Sequence, residues 1–217
     1  MSSTSSPSLV FMHTSPSHIA TFDHLRDRLA PARNIGHVVR EDLLCAVRKA
    51  GQVTTAVEIK LDEALHKIAE AGGKRIVCTC STLGGVAERT QIDGAKILRI
   101  DRPMVRQAAS IGGQVAVCAV LAETVGPTLA LVDEEMTRGG RTADIRSHVF
   151  DGAWDDFRAG RQQDYYQGIA DRLRTVAEDA DVIVLAQASM APAADLCCDI
   201  DVPILSSPVT GFVAALT

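Results

Sequence analysis

The second half of the chain repeats the first, and this self-similarity limits the possible folds more than any composition does. Sliding the sequence over itself matches three blocks in the same order. IGHVV, around His37, resembles RSHVF, around His148, at an offset of 111 residues. KIAEAGGKRIVCTCSTLGGVAE resembles TVAEDADVIVLAQASMAPAAD at an offset of 107, which sets Cys80 opposite Gln187. LVFMHTSP resembles VCAVLAETVGP at about 110, which sets Thr14 opposite Thr124. The competing explanation is that any two strand–helix units look alike. A true repeat predicts two similar lobes related by a pseudo-twofold axis, with equivalent strand ends meeting across a cleft. In open α/β sheets, ligands bind outside the carboxyl ends of the strands.

The periodicity of each half specifies the layers. Leu9 to Met12, Val115 to Leu121 and Val182 to Leu185 are apolar without alternation, as strands buried on both faces of a parallel sheet are. Leu61, Leu65, Ile68 and Ala69 fall on one helical face with Lys60, Asp62, Glu63, Lys67 and Glu70 opposite, and Gly72-Gly73 ends that helix. Ile169, Leu173 and Val176 repeat the pattern. Aromatic residues are only 4%, which suits helices on a buried sheet better than a β-sandwich. The predicted fold class is therefore α/β.

Charge and hydropathy narrow the partners. Against 27 Asp plus Glu there are 22 Lys plus Arg, a net charge of -5, so nothing favours a phosphate backbone or an anionic leaflet. Neither nucleic acid nor membrane is an expected partner. The longest apolar run, Val115 to Ala122, is far short of the roughly 20 residues that cross a bilayer. The opening MSSTSSPSLVFMHTSPS has no cationic stretch, and Leu9 to Met12 is too short for a secretory core, so the chain is expected in the cytosol. Cys45, Cys78, Cys80, Cys118, Cys197 and Cys198 lack the spacing of a disulfide framework or a zinc knuckle; they are expected reduced, with no metal. No G-x-G-x-x-G or P-loop is present, which disfavours a nucleotide.

Small polar residues gather after the echoed strands. Cys80, Ser81 and Thr82 follow Arg75 to Val77 and would open the next helix, whose N-terminus favours a carboxylate and lowers a thiol pKa from about 8.5 toward neutrality. Cys80 then reads as a thiolate, or alternatively as a small buried hydrophobe. Cys78 is assigned to the core, pointing away from Cys80. Thr14 with Ser15, and Thr124, offer hydroxyl donors to an anion or serve as helix N-caps. His13 reads as a solvated loop residue or a proton carrier at the site, and His37 and His148 as structural. Arg138, Arg141, Arg172 and Arg174 read as solvated faces.

VCTCSTLGG, IDRPM (Ile100 to Met104), VLAET and VIVLAQASMAP together resemble the aspartate/glutamate racemase superfamily, over essentially the whole chain. That superfamily includes hydantoin racemases, maleate isomerases and arylmalonate decarboxylases. The resemblance implies two lobes, each a four-stranded, largely parallel sheet flanked by helices, with the active site in the cleft. Residues 1–97 and 206–217 would form the first lobe, the latter segment returning as a last helix, and residues 98–205 the second. It further implies a homodimer or higher homo-oligomer, no cofactor, and a small carboxylate substrate held by groups like those of Ser81, Thr82, Thr124 and Ser189. Racemising members use two cysteines. Cys80 matches the first, whereas Gln187, followed by Ala188, occupies the place of the second; an amide binds substrate but transfers no proton. Cys197 and Cys198 lie one helix further on. The expected activity is thus proton transfer at the carbon alpha to a carboxylate with Cys80 as the single thiol, of isomerase or decarboxylase type. The alternatives are a racemase whose second acid is water or a group such as His13, and a carboxylate-binding regulatory protein without catalysis. Dicarboxylate, amino acid, hydantoin and aryl malonate remain open as substrates.

Overall fold

The computed structural model describes residues 6–217, so the reading of the first five as no part of a leader lies outside the described residues. The chain divides into two units. One comprises the described residues up to Ile100 together with Gly211–Thr217, the other Asp101–Thr210.

In the first unit, β1 (Leu9–His13), α1 (Ser17–Leu29), β2 (Ile35–Val39), α2 (Glu41–Ala50), α3 (Thr55–Glu70), β3 (Arg75–Cys78), α4 (Ser81–Arg89) and β4 (Lys96–Arg99) follow in order. The second contains α5 (Arg102–Ile111), β5 (Gly113–Ala119), α6 (Ala122–Arg138), β6 (Ala143–Val149), α7 (Ala153–Arg158), α8 (Gln162–Ala177), β7 (Val182–Leu185), α9 (Ala191–Ala194) and β8 (Ile204–Ser206). Helix α10 (Ser207–Leu216) closes the chain. Each sheet has four strands, in the orders β2-β1-β3-β4 and β6-β5-β7-β8, and every pairing is parallel. The α/β fold and its duplication are as the sequence predicts.

Parallel strands covered on both faces favour apolar residues at successive positions, which is why β7 and the Leu9–Met12 stretch of β1 are continuous hydrophobic runs. In the first unit Val10, Met12, Ile76 and Cys78 pack on Leu61, Leu65 and Ile68 of α3 and Leu83 of α4. The other face, Leu9, Phe11 and Val77, packs on Phe22 and Leu25 of α1 and on Phe212 and Ala215 of α10. In the second unit Val115, Val117 and Val184 meet α5 and α6, while Ala116, Cys118 and Leu185 meet Tyr165, Ile169 and Leu173 of α8. Helix α3 starts on Thr54, whose hydroxyl accepts from the Val57 N–H at 3.4 Å, and stops at Gly72, whose φ of 104° suits a residue without Cβ.

The hydrogen-bond ladders define which residues of the two units are equivalent. The Thr79 N–H bonds the Met12 carbonyl as the Ala186 N–H bonds that of Cys118, and the Leu83 N–H bonds the Cys80 carbonyl as the Met190 N–H bonds that of Gln187. Cys80 and Gln187 are thus equivalent. The Arg40 N–H reaches His13 O as the Phe150 N–H reaches Ala119 O, so His13 matches Ala119 and Thr14 matches Val120. This corrects two pairings. Thr14 is not the counterpart of Thr124, because the sequence match slides along the turn after the strand. His37, paired with Phe11, corresponds to Ser147 and not to His148, which pairs with Cys118. A one-residue slip moves a side chain to the opposite face.

Candidate active site

Cys80 is the last extended residue before α4 (φ −94°, ψ 112°), and its side chain is 9% exposed. Cys78, two residues earlier, shares its side of the strand and its apolar cluster, with Sγ 3.6 Å from the Cys80 carbonyl. Cys78 is core, as expected, but it does not point away from Cys80. Ser81 and Thr82, at 7% and 6% exposure, form the first turn of α4, and Thr14 is at 9%.

Opposing effects act on the Cys80 sulfur. Burial is the largest and pushes the thiol up; the Thr14 hydroxyl, the Leu83 and Thr82 N–H groups and the Thr82 hydroxyl favour the thiolate and pull it down. The net direction is upward. The expected lowering by the helix N-terminus is therefore corrected: burial outweighs the donors, and the resting group is a thiol.

The glycines of TLGG have a local cause. A Cβ on Gly84 would stand 3.1 Å from Arg99 Cβ and 3.2 Å from its Nε, and one on Gly85 3.2 Å from an Arg99 terminal nitrogen. The buried Arg99 side chain, 6% exposed at the end of β4, lies across this bare stretch of helix. Sequence reading missed Arg99, although the paired glycines were its trace.

His13 also departs from expectation. It ends β1 fully buried and is no loop residue. Its Nδ1 lies 2.9 Å from Thr79 Oγ1 and its Nε2 2.8 Å from His37 Nδ1, and Thr79 donates to the Met12 carbonyl at 3.1 Å. Burial, with His18 and His37 nearby, lowers its pKa to about 3. With both nitrogens engaged and the ring held neutral, His13 is not available as a second acid. Thr79, absent from the predicted residues, was detectable by strand alternation: it shares a face with Val77, which pairs with Phe11.

In the second unit Gln187 is held at both ends of its amide. Its Oε1 accepts from the Val120 N–H at 3.1 Å and its Nε2 donates to Thr124 Oγ1 at 3.1 Å. Thr124 is 2% exposed, in the first turn of α6, whose N-cap is Leu121. Neither threonine is a cap, since α1 begins after Pro16. Ala188, 8% exposed, begins a 3-10 turn. The Ser189 hydroxyl is 2.9 Å from that of Tyr165, and the Ser15 hydroxyl is 2.8 Å from that of Ser17, so both are engaged locally. Cys197 is buried, with its thiol toward the Ala193 carbonyl at 3.3 Å, and Cys198 is exposed. Among the described residues no three His, Cys, Asp or Glu side chains are grouped to hold a metal ion, and no helix is long and apolar enough to cross a membrane.

Neither a protein-family model nor a curated protein matches the sequence. Solved structures do match. A glutamate racemase from Bacillus anthracis aligns over 97% of this chain and 80% of its own, with a TM-score of 0.72 and 14% identity. An aspartate racemase from Picrophilus torridus aligns over 96% and 92%, with a TM-score of 0.70 and 10% identity. A sulfate-associated mutant of arylmalonate decarboxylase aligns over 97% and 92%, with a TM-score of 0.56 and 15% identity. These likenesses establish a shared two-lobe α/β fold.

Proposed function

We propose, from the fold shared with these racemases and decarboxylase, that the chain is a cofactor-independent enzyme acting at the carbon alpha to the carboxylate of a small acid, with Cys80 as its single catalytic thiol. The observation that carries this reading is the asymmetry of two equivalent strand ends. One has a thiol among hydroxyl and amide donors, and the other has the immobilised amide of Gln187. Thr14, Ser81 and Thr82 are the proposed donors to the substrate carboxylate. Such donors offset the desolvation of a buried anion.

A thiol that rests protonated favours the decarboxylase form of this chemistry. Breaking the bond to a departing carboxylate leaves its electron pair on the alpha carbon, delocalised into the remaining carboxylate. Cys80 gives its proton to that carbon, and the resulting thiolate, held by the Thr82 and Leu83 N–H groups, recovers a proton from water. Isomerisation would instead require the thiolate first, which burial disfavours. With Cys80 as the single proposed proton donor, protonation comes from one side, so a prochiral acid gives a single enantiomer.

The test is alkylation with iodoacetamide in the presence of phenylmalonate, maleate, aspartate or a hydantoin. A substrate-class acid should protect Cys80, and labelling should abolish turnover. If every acid is turned over equally well by Cys80-labelled protein, or none protects the thiol, the reading fails.

A further inference from the structure

Beneath the Cys80 loop runs a buried polar chain that the proposed chemistry does not use. Thr79 gives its hydroxyl proton to Met12 O, so the Thr79 oxygen accepts from His13 Nδ1–H. His13 Nε2 is then an acceptor and takes the Nδ1–H of His37. His37 Nε2, which is buried with no hydrogen-bond partner, stands 3.5 Å from Asp23 Oδ1 on α1. Of the other charged or titratable groups around this chain, His18 of α1 lies 6.2 Å from His13 between ring centroids and is itself kept neutral by burial. Arg26 of α1 shares Asp23 at 3.3 Å, and the Arg40 side chain turns away to Asp42 at 2.8 Å.

The second unit shows that the fold itself does not need this chain. The equivalents of His13 and Thr79 are Ala119 and Ala186, both essentially fully buried, and Ser147 replaces His37. The same strand-end junction is therefore built with two buried alanines and an exposed serine where it carries Gln187, and with three hydrogen-bonded polar side chains where it carries Cys80. Burying polar groups costs free energy that an alanine pair avoids.

We propose that His13 is a positioning residue for Cys80, acting through Thr79. By donating to Thr79 Oγ1 it commits that hydroxyl to Met12 O. Thr79 is thus tied to β1 through both its N–H and its side chain, immediately before the thiol. With residue 79 held, Thr14, Thr82 and the Leu83 N–H keep their alignment on the sulfur. The inference rests on the reading of Cys80 as the reactive group, but its test needs no substrate.

The measurement is the pH–rate profile for iodoacetamide labelling of folded protein, read at Cys80 from fragment ions of the peptide that also contains the fully buried Cys78. Thr79→Val removes the hydroxyl with little change of shape. The profile midpoint should move to higher pH, with labelling below the midpoint slower by about tenfold as the thiolate fraction falls. Thr79→Ala, the residue used in the second unit, should shift it in the same direction, and Thr79→Ser should restore the native midpoint. His13→Asn, which keeps a donor toward Thr79, should lie nearer the native profile than His13→Ala. An unchanged midpoint in folded Thr79→Val or Thr79→Ala protein overturns the proposal, even if the plateau rate rises because the loop has opened. A shifted midpoint in a protein that turns over no carboxylate would leave the positioning role standing and defeat the enzymatic reading alone.

Discussion

Burial and hydrogen bonding compete at single residues here, and pH separates them. The Cys80 thiol is pushed up by burial, so its labelling should be slow at neutral pH and should rise only above the range of an exposed cysteine. An exposed-thiol profile, measured by peptide mass spectrometry, would contradict this. Cys118, pushed up to about 12 by burial, should stay unlabelled in the native protein. His13 gives a prediction of opposite sign. Its folded pKa of about 3 lies below the ordinary histidine value of 6.5, so as the pH falls below 6.5 the unfolded chain gains a proton that the folded chain refuses. Stability should then drop by at most about 1.4 kcal/mol per pH unit. Urea midpoints at pH 8, 6.5 and 4.5 should fall with acidification, and His13→Asn should flatten that fall. Equal acid sensitivity in the two proteins would argue against a neutral His13.

The element that most governs the site is the β3–α4 junction. Its glycines accommodate Arg99, so Gly84→Ala should destabilise by about 1–3 kcal/mol through overpacking, seen as a lower melting temperature. A methyl on Gly211 would run into the Ile100 carbonyl, backbone that cannot move aside, and Gly211→Ala should cost at least as much. In the second unit, Gln187→Leu would leave the Val120 N–H without its acceptor, at a cost of about 1–3 kcal/mol. Several elements were legible in the sequence because their residues satisfy one demand at every position. Strands β1, β5 and β7 emerged as apolar runs, and α3 showed its two faces and its glycine stop. What was not legible depended on register. Thr14 was matched to Thr124, and His37 to His148, because similarity was aligned through turns, whereas equivalence is fixed by ladder hydrogen bonds that a one-dimensional comparison does not contain. His13 was taken for a loop residue for the same reason: nothing in HTSP announces that the strand runs through the histidine.

At the scale of the whole molecule, two units share the same strand order, and their equivalent strand ends carry different side chains. The first keeps Cys80 above a polar chain; the second has Gln187 above alanines. The repeat and the parallel sheets were readable from the sequence, while the burial of Cys80 and the network beneath it required the fold. Substrate choice is the least legible property, since it depends on side chains converging from several loops. One-sided proton delivery by Cys80 can be tested in deuterated water with a prochiral disubstituted malonate such as methylphenylmalonate. The account predicts a product with a single deuterium at the alpha carbon and a single configuration, formed by the native protein and not by Cys80→Ser. A racemic product, or Cys80→Ser protein that forms it at the native rate, would contradict it.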